Sequence, residues 1–185
     1  MKSVSWAEAE ASGAMSAARK ATPFRRMAWV MGSTPLRRGG VGRNYGSGGN
    51  DTLAGSPNDD VILAGGGRDS VNGGGGADFI VGSQGNDTIT GDAGNDTISS
   101  GRGNDDIDGG ADADFLSGGS GRDTIRGGAG TDIASGNGGR DQIDGDDGDD
   151  TLFGGGGADD IAGGLGADRL DGFDRDDTFS QVVGQ

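Results

Sequence analysis

The chain contains no cysteine and no histidine. Disulfides, thiolate nucleophiles, His/Cys zinc sites and every histidine-based triad or general base are therefore excluded. Only 3 of 185 residues are proline. No run of about 18 apolar residues occurs, so no transmembrane segment is expected. Leu, Ile, Val and Phe together supply only 30 residues, a composition that without a period describes a disordered chain. Lysine is absent after Lys20, so no glycine run in the body of the chain forms a phosphate loop. A net charge of -15 repels phosphate backbones, and no nucleic-acid partner is expected.

What is abundant is glycine, at 44 residues, together with aspartate, and the charge is unevenly placed. Residues 1–45 carry eight basic and two acidic side chains, a net of +6. Residues 46–185 carry 28 Asp and seven Arg, with no Glu and no Lys, a net of -21. This shift sets a boundary near residue 45 and a basic N-terminal extension over 1–45. Within it, Ser5-Trp6-Ala7-Glu8 reads as a capping box, and a helix is expected over about residues 5–21, stopped by Pro23.

The acidic part has a nine-residue period. Fifteen units tile residues 46–180 without insertion or deletion, leaving a tail at 181–185. The sixth position is aspartate every time: Asp51, Asp60, Asp69, Asp78, Asp87, Asp96, Asp105, Asp114, Asp123, Asp132, Asp141, Asp150, Asp159, Asp168 and Asp177. The first position is glycine in thirteen units and the fourth in twelve; the eighth is Leu, Ile, Val or Phe in fourteen. Such phase argues for a solenoid. Positions 1 to 6 carry turn chemistry, and positions 7 to 9 a short strand whose eighth residue faces inward. One inward apolar residue per nine is a small core for so many ordered residues, and the aspartates repel one another. A regularly bound cation is expected to supply the difference.

The unit Gly-Gly-x-Gly-x-Asp-x-apolar-x resembles the RTX nonapeptide of hemolysin-type calcium-binding proteins. Good copies are Gly73-Gly74-Gly75-Gly76-Ala77-Asp78-Phe79-Ile80-Val81 and Gly118-Gly119-Ser120-Gly121-Arg122-Asp123-Thr124-Ile125-Arg126. The resemblance implies an all-β fold, a right-handed parallel β-roll with two nonapeptides per coil. It also implies Ca²⁺ between turns two units apart. The earlier turn gives carbonyls from positions 2 and 4 plus its Asp, and the later turn carbonyls from positions 1 and 3 plus its Asp. Carried over, one site is Gly65, Gly67 and Asp69 with Gly82, Gln84 and Asp87. The next on that side is Ser83, Gly85 and Asp87 with Ser100, Arg102 and Asp105. Six oxygens suit Ca²⁺ better than Mg²⁺. Fifteen units allow up to 13 sites. Asn58, Asp112 and Arg175 replace the position-4 glycine and Phe173 sits at position 2, so weaker sites are expected there.

The resemblance further implies an extracellular or cell-surface calcium-binding protein, and with no His and no catalytic motif no enzymatic activity is expected. Two other readings are a detached accessory module of an RTX toxin, protease or lipase system, and an ice-binding or adhesin-type segment. Alternate units build opposite sheets, and the even-numbered units hold every large apolar residue that points outward. These are Val61, Leu63, Phe79, Val81, Phe115, Ile133 and Phe153. That face is expected to be covered, by a protein partner, the N-terminal segment or a second copy.

Overall fold

The computed structural model describes residues 42–174 and 176–182. The helix expected over residues 5–21 lies outside them. The described residues form sixteen strands in two parallel sheets. The first sheet takes β1 (Gly42–Tyr45), β3 (Asp60–Gly66), β5 (Phe79–Gln84), β7 (Thr97–Arg102), β9 (Phe115–Gly121), β11 (Ile133–Gly139), β13 (Thr151–Gly157) and β15 (Arg169–Asp171). The second takes β2 (Thr52–Ala54), β4 (Ser70–Gly75), β6 (Thr88–Ala93), β8 (Asp106–Ala111), β10 (Thr124–Ala129), β12 (Gln142–Asp147), β14 (Asp160–Leu165) and β16 (Thr178–Val182). The chain alternates between the sheets and returns to each one unit-pair later, so two nonapeptides make one coil, as the period requires. Among the described residues there is no helix.

Pairing is in register at eighteen residues, except at the end of β14 and β16, where a shift pairs Leu165 with Val182. Ile80 sits beside Ile62 and Ile98, and Ile125 beside Ile107 and Ile143. The position-8 side chains from Ile62 to Ile161 are buried and form one continuous core. Its ends are looser: Leu53 and Leu170 are only partly buried, and Phe179 is half exposed. The alternation extends further than a three-residue strand. In β3, Asp60, Ile62 and Ala64 are all buried while Val61 and Leu63 are partly exposed. Each strand thus turns positions 6, 8 and 1 inward, because side chains alternate along extended backbone. The carboxylates share the interior with the isoleucines.

The first coil opens with β1, whose sequence Gly-Arg-Asn-Tyr has neither the aspartate nor the apolar residue of the repeat. It nevertheless pairs with β3 through Gly42↔Asp60 and Tyr45↔Leu63. Asn44 occupies the inward position, and its Nδ2 donates to the Ala54 carbonyl at 2.6 Å. A polar side chain at the inward position thus satisfies a backbone carbonyl at the first described coil.

Candidate metal centres

The turns between the sheets stack into two ladders, one along each edge of the roll. Asp60, Asp69, Asp78, Asp87, Asp96, Asp105, Asp114, Asp123, Asp132, Asp141, Asp150 and Asp159 are all buried, each at most 3% exposed. Asp51, Asp168 and Asp177, nearer the ends, are partly exposed.

One oxygen of each interior carboxylate is used by the chain itself. The backbone N–H of Asp69 donates to Asp87 Oδ1 at 2.9 Å, that of Asp87 to Asp105 Oδ1 at 2.8 Å, and that of Asp105 to Asp123 Oδ1 at 2.9 Å. The other edge repeats this from Asp60 through Asp78, Asp96, Asp114 and Asp132 to Asp150. The second oxygen is orphaned. Oδ2 of every repeat aspartate from Asp69 to Asp168 is buried without a hydrogen-bond partner, as is Oδ1 of Asp60. A buried carboxylate oxygen left unpaired is costly, and a whole file of them has the chemistry that a cation would relieve.

The backbone completes the cradle. A Cβ placed on Gly109 would lie 2.5 Å from both Asp114 Oδ2 and the Gly127 carbonyl oxygen. At Gly82 it would lie 2.6 Å from Asp87 Oδ2 and from Ser100 O, and at Gly127 2.6 Å from Asp132 Oδ2 and 2.7 Å from Gly145 O. At these glycines the carboxylate and the carbonyl of the next coil converge where a side chain would stand; Ala64 and Ser100 fill the same position in two other units, and Ser100 Oγ donates to the Gly118 carbonyl. Other carbonyls point into the same gap between coils. A Cβ on Gly101 would strike the Ser83 carbonyl oxygen, and one on Gly103 that of Gly85. The Arg102 carbonyl turns back to accept from the Gly85 N–H at 2.8 Å. Ser83, Gly85, Ser100 and Arg102 thus aim carbonyl oxygens between the turns that carry Asp87 and Asp105. On the preceding coil, Gly67 O faces Gly85, and Gln84 O accepts from Gly67 N–H at 2.9 Å.

Among the described residues no three acidic side chains converge on one point. The donors are a few carboxylate oxygens among many carbonyls, a hard, all-oxygen set that fits Ca²⁺. Electrostatics agree. Burial pushes Asp78 and Asp114 up to about 7, and Asp123 and Asp150 up to about 6. The hydrogen bond from the preceding coil's N–H opposes this, and neighbouring aspartates such as Asp96 beside Asp78 add to it. Asp87, Asp96, Asp132, Asp141 and Asp159 are raised by the same burial. Without a counter-ion these groups resist ionisation.

The irregular turns differ from one another. At Asn58 the peptide is rotated: a Cβ on Gly76 would meet the Asn58 carbonyl carbon and the Asp59 nitrogen, both at 2.5 Å, not a carbonyl oxygen. Asp112 and Phe173 instead keep the left-handed backbone, with φ of 76° and 69°. The Asp112 carbonyl oxygen still faces Gly130.

A second file of contacts, running the opposite way, has no signal in the metal motif. Side-chain oxygens at position 5 accept from the N–H one coil later: Asn86 Oδ1 from Asn104 N–H at 2.9 Å, and Asn104 Oδ1 from Arg122 N–H at 2.7 Å. Asp59 and Asp149 do the same for Ala77 and Ala167. The excess of Asn and Asp at position 5 was the visible trace of this ladder.

Among curated proteins no relative matches the chain. The family model of the RTX calcium-binding nonapeptide repeat, which spans four copies, matches at residues 45–80, 72–107, 81–116, 108–143 and 135–170. These stretches cover most of the roll, and they coincide with the file of orphaned carboxylates and inward carbonyls. The chain therefore belongs to the RTX calcium-binding nonapeptide-repeat family.

Proposed function

We propose that this protein is an extracellular, non-catalytic calcium-binding β-roll whose folding is driven by the ion. The observation that carries the reading is the buried file of unpartnered Oδ2 atoms from Asp69 to Asp168. Position-6 aspartates along both edges provide the carboxylates. The carbonyls of Gly65, Gly67, Gly82 and Gln84 serve the site of Asp69 and Asp87. Those of Ser83, Gly85, Ser100 and Arg102 serve the site of Asp87 and Asp105. Each interior aspartate is shared between consecutive sites.

Fifteen units allow thirteen sites, and their loading would offset the repeat charge of -21. Bound calcium would supply the positive charge that the unpartnered carboxylate oxygens lack. The chain's own residues do the rest: glycine at position 1 leaves the cradle open, and the Asp-to-N–H bonds hold each carboxylate toward it. A catalytic role finds no support in a chain without His or Cys, whose regular carboxylates are built into the coil.

Extracellular modules bind calcium at about 10⁻⁴–10⁻³ M. Each site held at tenfold its dissociation constant adds roughly 1.4 kcal/mol to folding. The chain is accordingly expected to be unfolded where calcium is scarce and folded outside the cell. Circular dichroism during a calcium titration of the full chain tests this. β-structure should appear over that concentration range, with calorimetry counting the ions; a complete β-signal in excess chelator would overturn the reading.

A further inference from the structure

We infer that the outer face of the first sheet is a self-association surface whose occupant is a second copy of this chain. Tyr45 is 60% exposed, Phe79 46%, Phe115 51% and Ile133 41%. Val61, Leu63, Val81 and Phe153 lie beside them, partly exposed. The register stacks these side chains in two ranks: Val61, Phe79, Thr97, Phe115 and Ile133 in one, Tyr45, Leu63 and Val81 in the other. Between Arg43 on β1 and Arg169 and Asp171 on β15, the outward positions 7 and 9 of this face carry no charge. The outer face of the second sheet is different in kind, with Asp106, Asp108, Arg126, Asp144 and Asp160. In a body this acidic, only one sheet face can shed water without desolvating carboxylates.

The pattern along that face is self-complementary. A two-fold axis parallel to the coil axis sets each strand antiparallel to the same strand of the other copy. Position 7 then meets position 9. Phe115 falls opposite the partner's Ser117, Ile133 opposite the partner's Ser135, and Phe153 opposite the partner's Thr151. These three pairs set large against small, as close packing needs, while Val61 meets the partner's Leu63 and Phe79 the partner's Val81, apolar against apolar. At the ends, Arg169 meets the partner's Asp171, and Arg43 meets the ring of the partner's Tyr45, a cation–π pair. The alternative two-fold, along the strands, would set Arg43 against the partner's Arg169 and repel.

Eight strands about 4.8 Å apart, each presenting three residues of about 3.3 Å, offer roughly 350 Å² of flat face per copy. That is less than the ~800 Å² per partner of a standard interface, so the association is weak and concentration-dependent. It rests on the calcium reading in one respect: neutralisation of the acidic body must come first.

Sedimentation equilibrium of the full chain in saturating calcium, over a wide concentration range, tests the inference. The apparent mass should rise toward twice the chain mass. Phe115→Ser and Arg169→Asp should each weaken the association several-fold with the β-signal intact. Combining Arg169→Asp with Asp171→Arg should restore it. A monomer mass at every concentration with full β-structure, or indifference to all three variants, would overturn the inference and leave the calcium reading standing. A chain that folds and self-associates equally in chelator would uphold this face while removing both the calcium reading and the need for prior neutralisation.

Discussion

The backbone N–H of Asp105 donates to Oδ1 of Asp123, eighteen residues on, at 2.9 Å. The same carboxylate leaves its Oδ2 buried and unpartnered. One side chain thus closes the coil below it and, in the proposed function, also holds a cation. Asp123→Asn keeps a carbonyl acceptor for the Asp105 N–H and removes the charge, whereas Asp123→Ala removes both. Asp123→Asn should lower the number of bound ions measured by calorimetry and, with them, the thermal midpoint in calcium. Asp123→Ala should in addition cost about 1–3 kcal/mol through the orphaned N–H. Equal thermal midpoints of the two variants in calcium would count against the double role.

Gly109→Ala should be far more damaging than an alanine at an exposed turn position. Its Cβ would stand 2.5 Å from Asp114 Oδ2 and from Gly127 O, nearer than packed atoms approach. Calcium binding should fall by the sites on that turn and the thermal midpoint in calcium should drop. Ala129→Ser, exposed on the same edge, is the control and should leave both unchanged.

Acidification should have opposite effects with and without calcium. Burial raises Asp114 from 3.8 to about 7 and Asp123 to about 6. The folded chain then binds more protons than the unfolded chain between these limits, so apo stability falls as pH rises through the window. In chelator, β-structure should grow as pH drops from about 8 toward about 5. In calcium the trend reverses, because the ligands must be deprotonated. Circular dichroism at fixed pH steps reads both, and parallel trends in the two conditions would contradict the shared carboxylate.

The apolar file sets a smaller but general term. Ile125 is fully buried between Ile107 and Ile143. Ile125→Ala should destabilise the calcium-loaded roll by about 2–5 kcal/mol, seen as a lower thermal midpoint at fixed calcium. The number of bound ions should not change, which separates packing from ligation.

Much of this molecule was legible before any coordinates. The period placed Ile62 through Ile161 in one core and Asp60 through Asp159 along the turns, because a residue type fixed at one phase of a solenoid must occupy one environment. The inward reach of positions 6 and 1 was less visible, since three-residue strands understate how far the pleat continues into the turn. The hydrogen bond that each aspartate accepts was hidden by its metal-ligand reading. β1 escaped the period altogether, because Gly42 and Asn44 replace the two residues by which a repeat is recognised, while the backbone still pairs with Asp60 and Ile62. Apolar side chains outside a roll, such as Phe79 and Phe115, could be assigned to a face but not to an occupant by sequence alone.

The two sheets are unlike on their outer sides, and neighbours lie eighteen residues apart, so length can change only in steps of a whole coil. Loss or gain of a single nonapeptide upstream would hand outward phenylalanines such as Phe115 to the acidic side and second-sheet threonines such as Thr124 to the greasy one. Growth by paired units would merely make a longer rod of the same kind.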